Sequence, residues 1–76
     1  MAHSPTSNRI GEVIAAALDE AGITLRQAAD KTLIARTTLA RHLRFGGFTV
    51  EELEAIARLL GTTVSDLISR AEGRAA

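Results

Sequence analysis

Three times in this chain a glycine that closes one helical pattern is followed two residues later by a threonine able to open the next: Gly22 and Thr24, Gly47 and Thr49, Gly61 and Thr63. Glycine reaches the left-handed backbone that ends helices, and a threonine hydroxyl satisfies an otherwise unpaired N–H at a helix start. Twice the threonine is followed at the third position by a residue that completes a capping box, Gln27 after Thr24 and Glu52 after Thr49. This punctuation cuts the chain into short helices.

The apolar residues agree with that division. Ile10, Val13, Ile14, Ala17 and Leu18 recur at three-and-four spacing, which predicts a first helix over 8–21, capped by Ser7 or Asn8. A second helix starts at Thr24, where the small Ala28 and Ala29 permit close approach of a neighbour; 32–34 is a turn, and 35–44 a third helix. Val50, Leu53, Ile56, Ala57 and Leu60 form one face of a fourth. Leu59 lies about 100° from the centre of that face, either half exposed or used by a partner. Thr63 caps a fifth helix with Val64, Leu67, Ile68 and Ala71 inward and Asp66 in the first turn, where a negative charge suits the helix dipole. The expectation is an all-α, compact five-helix domain over 8–71, with a flexible arm at 1–7 and a frayed end at 72–76.

A chain of 76 residues supports one small core. Cysteine is absent, so the fold rests on packing rather than on disulfides or a thiolate-held metal. The longest apolar run, 13–18, is far too short to span a bilayer, and no signal pattern opens the chain. A soluble protein of a bacterial host's cytoplasm or nucleoid is expected.

The formal net charge is zero, but it is unevenly distributed. Between Thr24 and Phe45 stand Arg26, Lys31, Arg36, Arg41 and Arg44 against the single acid Asp30, while Glu12, Asp19 and Glu20 precede the segment and Glu51, Glu52 and Glu54 follow it. One basic face on a neutral body attracts polyanions. The plainer alternative is a set of ordinary solvated helix faces. Within the segment, the third helix sets Arg36, Thr37, Thr38, Arg41 and Arg44 over a thin seam of Leu39 and Leu43, more polar reach than its packing needs.

Two helices of about eight residues around a three-residue turn describe a helix-turn-helix. The chain resembles the lambda-repressor-like DNA-binding domains, the Cro and phage-repressor family, from Ile10 to Arg70. The matching marks are Gly22-Ile23-Thr24, the small Ala29, the core positions Ile34 and Leu39, and the closing pattern of Leu53, Ile56, Ala57, Leu60, Gly61, Val64, Asp66, Leu67 and Ile68. The resemblance implies a double-stranded DNA partner read in the major groove and a role as a transcriptional regulator, most simply a Cro or immunity repressor. It also implies a homodimer, at least on DNA. No cofactor, metal, small-molecule ligand or membrane is expected.

Arg36, Thr37, Thr38 and Arg41 are the expected base readers, since arginine bonds guanine O6 and N7 and threonine meets a base edge or a thymine methyl. Thr24, with the N–H groups at the start of the second helix, and Arg26 and Arg44 are the expected phosphate contacts. For Arg26, pairing with Asp30 weighs equally. For Thr37 and Thr38 the alternative is helix capping, because Ala35 is a poor N-cap.

Two residues depart from the family pattern. Leu33 stands where glycine is usual and resists positive φ, so a differently wound turn is expected. His42 stands where an apolar residue is usual, three after Leu39, and Leu43 takes the apolar place instead. Two rotations of the third helix follow: an outward face of Thr37, Ala40, Arg41 and Arg44 with Arg36 at the N-terminus, or one centred on Arg41 with Thr37 and Thr38 beside it. Arg41 and Thr37 face outward in both. His42 is expected half-buried against the fourth helix, and His3 in the arm is given no role.

With no second domain there is no place for an effector pocket, so control through the protein's own concentration is expected. Two other functions share the fold: an antitoxin or accessory regulator that also binds a protein, and an interaction module docking through Phe45, Phe48 and Leu59. An enzyme is disfavoured by the lack of Cys and Tyr, two distant histidines and no metal-spaced His–Glu cluster.

Overall fold

The glycine–threonine punctuation sets the helix order. In the computed structural model, which describes the backbone of residues 5–73 and side chains from residue 9, it yields α1 (Pro5–Glu20), α2 (Leu25–Thr32), α3 (Arg36–Phe45), α4 (Val50–Leu60) and α5 (Val64–Ala71). The described residues form no strand. Both capping boxes close. Thr24 Oγ1 accepts the Gln27 N–H at 3.1 Å and Gln27 Oε1 accepts the Thr24 N–H at 2.9 Å; the Thr49–Glu52 pair does the same at 3.0 Å each way. Such caps contribute about 1 kcal/mol each. Gly22 and Gly61 both take φ 71°. Each turns the chain so that the next N–H reaches back, Ile23 to the Leu18 carbonyl and Thr62 to the Ala57 carbonyl, at 2.9 Å in both.

The first helix begins at Pro5 rather than Asn8. Proline suits a first helical position because it has no N–H to leave unpaired and its φ is already helical. Residues 5–7 therefore belong to the helix and not to an arm; residues 1–4, His3 among them, and 74–76 lie outside the described residues.

Ile14 of α1, Leu39 of α3, Ile56 of α4 and Leu67 of α5 meet as the most enclosed side chains, and Ala28, Ala29, Ala57 and Ala71 let the backbones close around them. α1 packs on α3 and α5, and α2 on α3 and α4. The Cα radius of gyration is 11.5 Å, close to the roughly 11.4 Å expected for a single domain of this length. Val50, expected on the buried face of α4, is 67% exposed. It is the first residue of α4, and the apolar stripe meets its neighbours only from Leu53 onward. Among the described residues no helix is long and apolar enough to cross a membrane.

One close approach positions the helix-turn-helix. Gly11 of α1 is buried, and a Cβ placed on it would lie 2.9 Å from the Leu43 carbonyl carbon, 3.2 Å from the His42 carbonyl oxygen and closer still to the Leu43 carbonyl oxygen. The backbone of α3 thus crosses α1 at a bare Cα.

Candidate nucleic-acid interface

The rotation of α3 follows from what is buried beneath it. Leu39 is fully enclosed, and His42 and Leu43 are both half-buried. At about 100° per residue they fall on either side of Leu39, so they share the inward seam rather than compete for it. Opposite Leu39, Thr37, Arg41 and Arg44 are exposed, with Arg36 exposed at the helix start, while Ala40 and Thr38 are half-buried flanks. The phase lies between the two rotations: Arg44 faces outward as in the first, while Ala40 is drawn in as in the second. Thr38 lines a groove of about 430 Å³ with Leu33, Ile34, Thr49 and Glu51, on the side toward α4 and apart from the exposed trio.

The turn is wound as a glycine would wind it. Leu33 takes φ 62°, ψ 25°, the left-handed conformation, against the expectation of a different path. Its side chain is 92% exposed and asks for no space. The buried Thr32 hydroxyl donates to the Ala28 carbonyl at 2.7 Å and so fixes the chain just before it. The left-handed conformation costs a non-glycine residue about 1 to 2 kcal/mol. Leu33→Gly should therefore stabilise the fold by about 0.5 to 1 kcal/mol, after glycine's larger loss of chain entropy is subtracted. Urea unfolding with an unchanged m-value would register this as a higher midpoint; a lower one would refute it.

The start of α3 is open. Ala35 provides no side-chain cap, and among the described residues neither Thr37 nor Thr38 makes a side-chain hydrogen bond. The first-turn N–H groups keep their partial positive charge facing outward. Arg26 and Arg36 line one depression of about 380 Å³ beside this helix end, together with Asp30, Ile34 and Ala35. Among the described residues Arg26 forms no bridge to Asp30; the ion pairs there include His42–Glu52 and Arg70–Asp66. Among the described residues Arg26, Arg36, Arg41 and Arg44 thus have no carboxylate partner, though the Arg44 guanidinium sits 5.5 Å over the Phe45 ring. Thr24 is exposed at the start of α2, its hydroxyl engaged in the cap.

The sequence pattern of Cro/C1-type HTH DNA-binding domains matches residues 14–72. The chain belongs to that family. No curated protein and no solved structure matches it significantly. The match runs from the middle of α1 through α5 and takes in the whole segment that carries the unpaired arginines.

Three features of this Cro/C1-type domain bear on its surface. His42 contacts α4 as expected, its Nδ1 2.9 Å from Glu52 Oε1 and its ring edge-on to Phe48 with centroids 5.4 Å apart. Phe48 and Leu59 pack against the core, which leaves Phe45, 64% exposed, alone of the three apolar residues suggested for protein docking. Gly11 and Glu52, which seat α3, were not legible as support. A glycine inside a helical pattern costs about 1 kcal/mol against alanine, a cost that close packing accounts for, and could have marked Gly11; nothing in the sequence pairs Glu52 with His42 ten residues earlier.

Proposed function

We propose that this Cro/C1-type domain is a sequence-specific transcriptional regulator of the phage-repressor type, which lays α3 in the major groove of double-stranded DNA. The supporting observation is the exposed face of α3, where Thr37, Arg41 and Arg44 lie opposite the buried Leu39 and the arginines have no carboxylate partners. Thr37 and Arg41 read base edges, with Arg36 at the uncapped helix start; Thr38, half-buried toward α4, stands at the margin of that set. Thr24 and the first N–H groups of α2, with Arg26 and Arg44, hold phosphates and fix the register.

In helix-turn-helix dimers two half-sites lie roughly 34 Å apart, one turn of DNA, and we infer the same two-fold arrangement on the operator. Selection of bound duplexes from a random pool tests the reading directly. A palindromic preference supports it, and recovery of unselected sequence sinks it. The phosphate assignment predicts that Arg26→Ala or Arg44→Ala weakens binding to every duplex alike. The slope of log K against log salt should become shallower by about one. A slope equal to the parent's would remove that residue from the phosphate set.

A further inference from the structure

We propose that His42 is a positioning residue whose bond to Glu52 sets the roll of α3, so that discrimination between DNA sequences depends on a side chain that touches no DNA. The inference rests on the proposal that α3 reads base edges.

Beyond its packing on α2, three contacts bear on the roll of α3. Leu39 is enclosed at its middle, the Leu43 carbonyl rests on Gly11, and His42 Nδ1 meets Glu52 Oε1 at 2.9 Å. The first two let the helix roll about the crossing point. The third attachment stops the roll, because its other end is fixed: the same Glu52 Oε1 accepts the Thr49 N–H at 3.0 Å and closes the α4 capping box. The Phe48 ring stands edge-on to the imidazole, with centroids 5.4 Å apart, and limits its movement.

The geometry makes the bond consequential. Arg41 precedes His42 directly, and a group about 6 Å from the helix axis moves through about 2 Å for a roll of roughly 20°. A base-edge hydrogen bond tolerates a donor–acceptor range of only about 0.5 Å. Because a carboxylate only accepts, His42 Nδ1 must carry the proton, the tautomer that a histidine free in water disfavours.

The test compares His42→Leu, which keeps bulk and loses the donor, with His42→Asn, whose amide nitrogen lies near the place of Nδ1, and His42→Gln, whose amide nitrogen falls near Nε2. For each, the affinity for the duplex selected by the parent is divided by that for a shuffled duplex, and folding is followed by thermal melting. His42→Leu and His42→Gln should lose on the order of tenfold in this ratio, the loss of one well-made base contact, with shuffled-duplex affinity unchanged. His42→Asn should retain it. Imidazole 15N shifts in mildly alkaline buffer should show the Nδ1–H form in the parent and its loss in Glu52→Ala.

An unchanged ratio in His42→Leu overturns the inference. So does an equal fall in His42→Leu and His42→Asn, since packing and not the bond would then be responsible. If His42→Leu melts too low to assay, His42→Gln carries the same comparison. A parent that selects no sequence brings down the DNA-reading proposal itself, a result distinct from selection by the parent with no change in the variants.

Discussion

Gly11→Ala is expected to destabilise the domain by about 2 to 3 kcal/mol, although the same change on an exposed helix face stabilises by about 1 kcal/mol. The new methyl would meet main-chain atoms of Leu43 and His42, which cannot turn aside as the tip of a side chain can. Either α1 and α3 separate, opening space around Leu39 and Ile14, or the backbone of α3 bends. In a domain of this length the melting temperature should fall by on the order of 10 to 20 °C. Ala16→Gly, at an exposed position on the same helix, is the control: it should cost only the roughly 1 kcal/mol of helix propensity. An increase in stability for Gly11→Ala would show that α3 does not rest on α1 in this way.

Arg41→Ala should remove sequence preference while leaving the fold intact. Arg41 is exposed and has no ion-pair partner among the described residues, so truncation takes nothing from the core. A bidentate arginine–guanine contact carries about 1 to 3 kcal/mol of discrimination. Affinity for the selected duplex should accordingly fall about 10- to 100-fold, toward that for a shuffled one, with the thermal midpoint unmoved. Should Arg41→Ala bind the selected site as the parent does, α3 is not the reader.

Both variants depend on the roll of α3, which the sequence left open while the helices themselves were legible. The reason is range. A capping box such as Thr24 with Gln27 is settled within four residues, so helix starts follow from local chemistry, and the glycine stops at Gly22 and Gly61 work in the same way. The roll of α3 is settled by partners far along the chain: Gly11, thirty-odd residues earlier, and Glu52, beyond the next loop. Two inward candidates, His42 and Leu43, looked like alternatives because a helical wheel shows one helix without the groove that receives it. In the fold both are accommodated, His42 against α4 and Leu43 against the core. Leu33 misled for a different reason: its preference was read correctly, but a cost of one or two kcal/mol is small beside the packing of α2 and α3 that fixes the turn.

The contact at Gly11 has a bearing on how this domain could change its target. What α1 touches there is the main chain of α3, which is the same whatever side chains the helix carries outside. Exchange of Thr37 or Arg41 for other residues leaves that crossing untouched. The support is therefore separable from the face proposed to read DNA. On the proposed reading, new operator preferences can be written on the outside of α3 while the seat beneath it stays as it is.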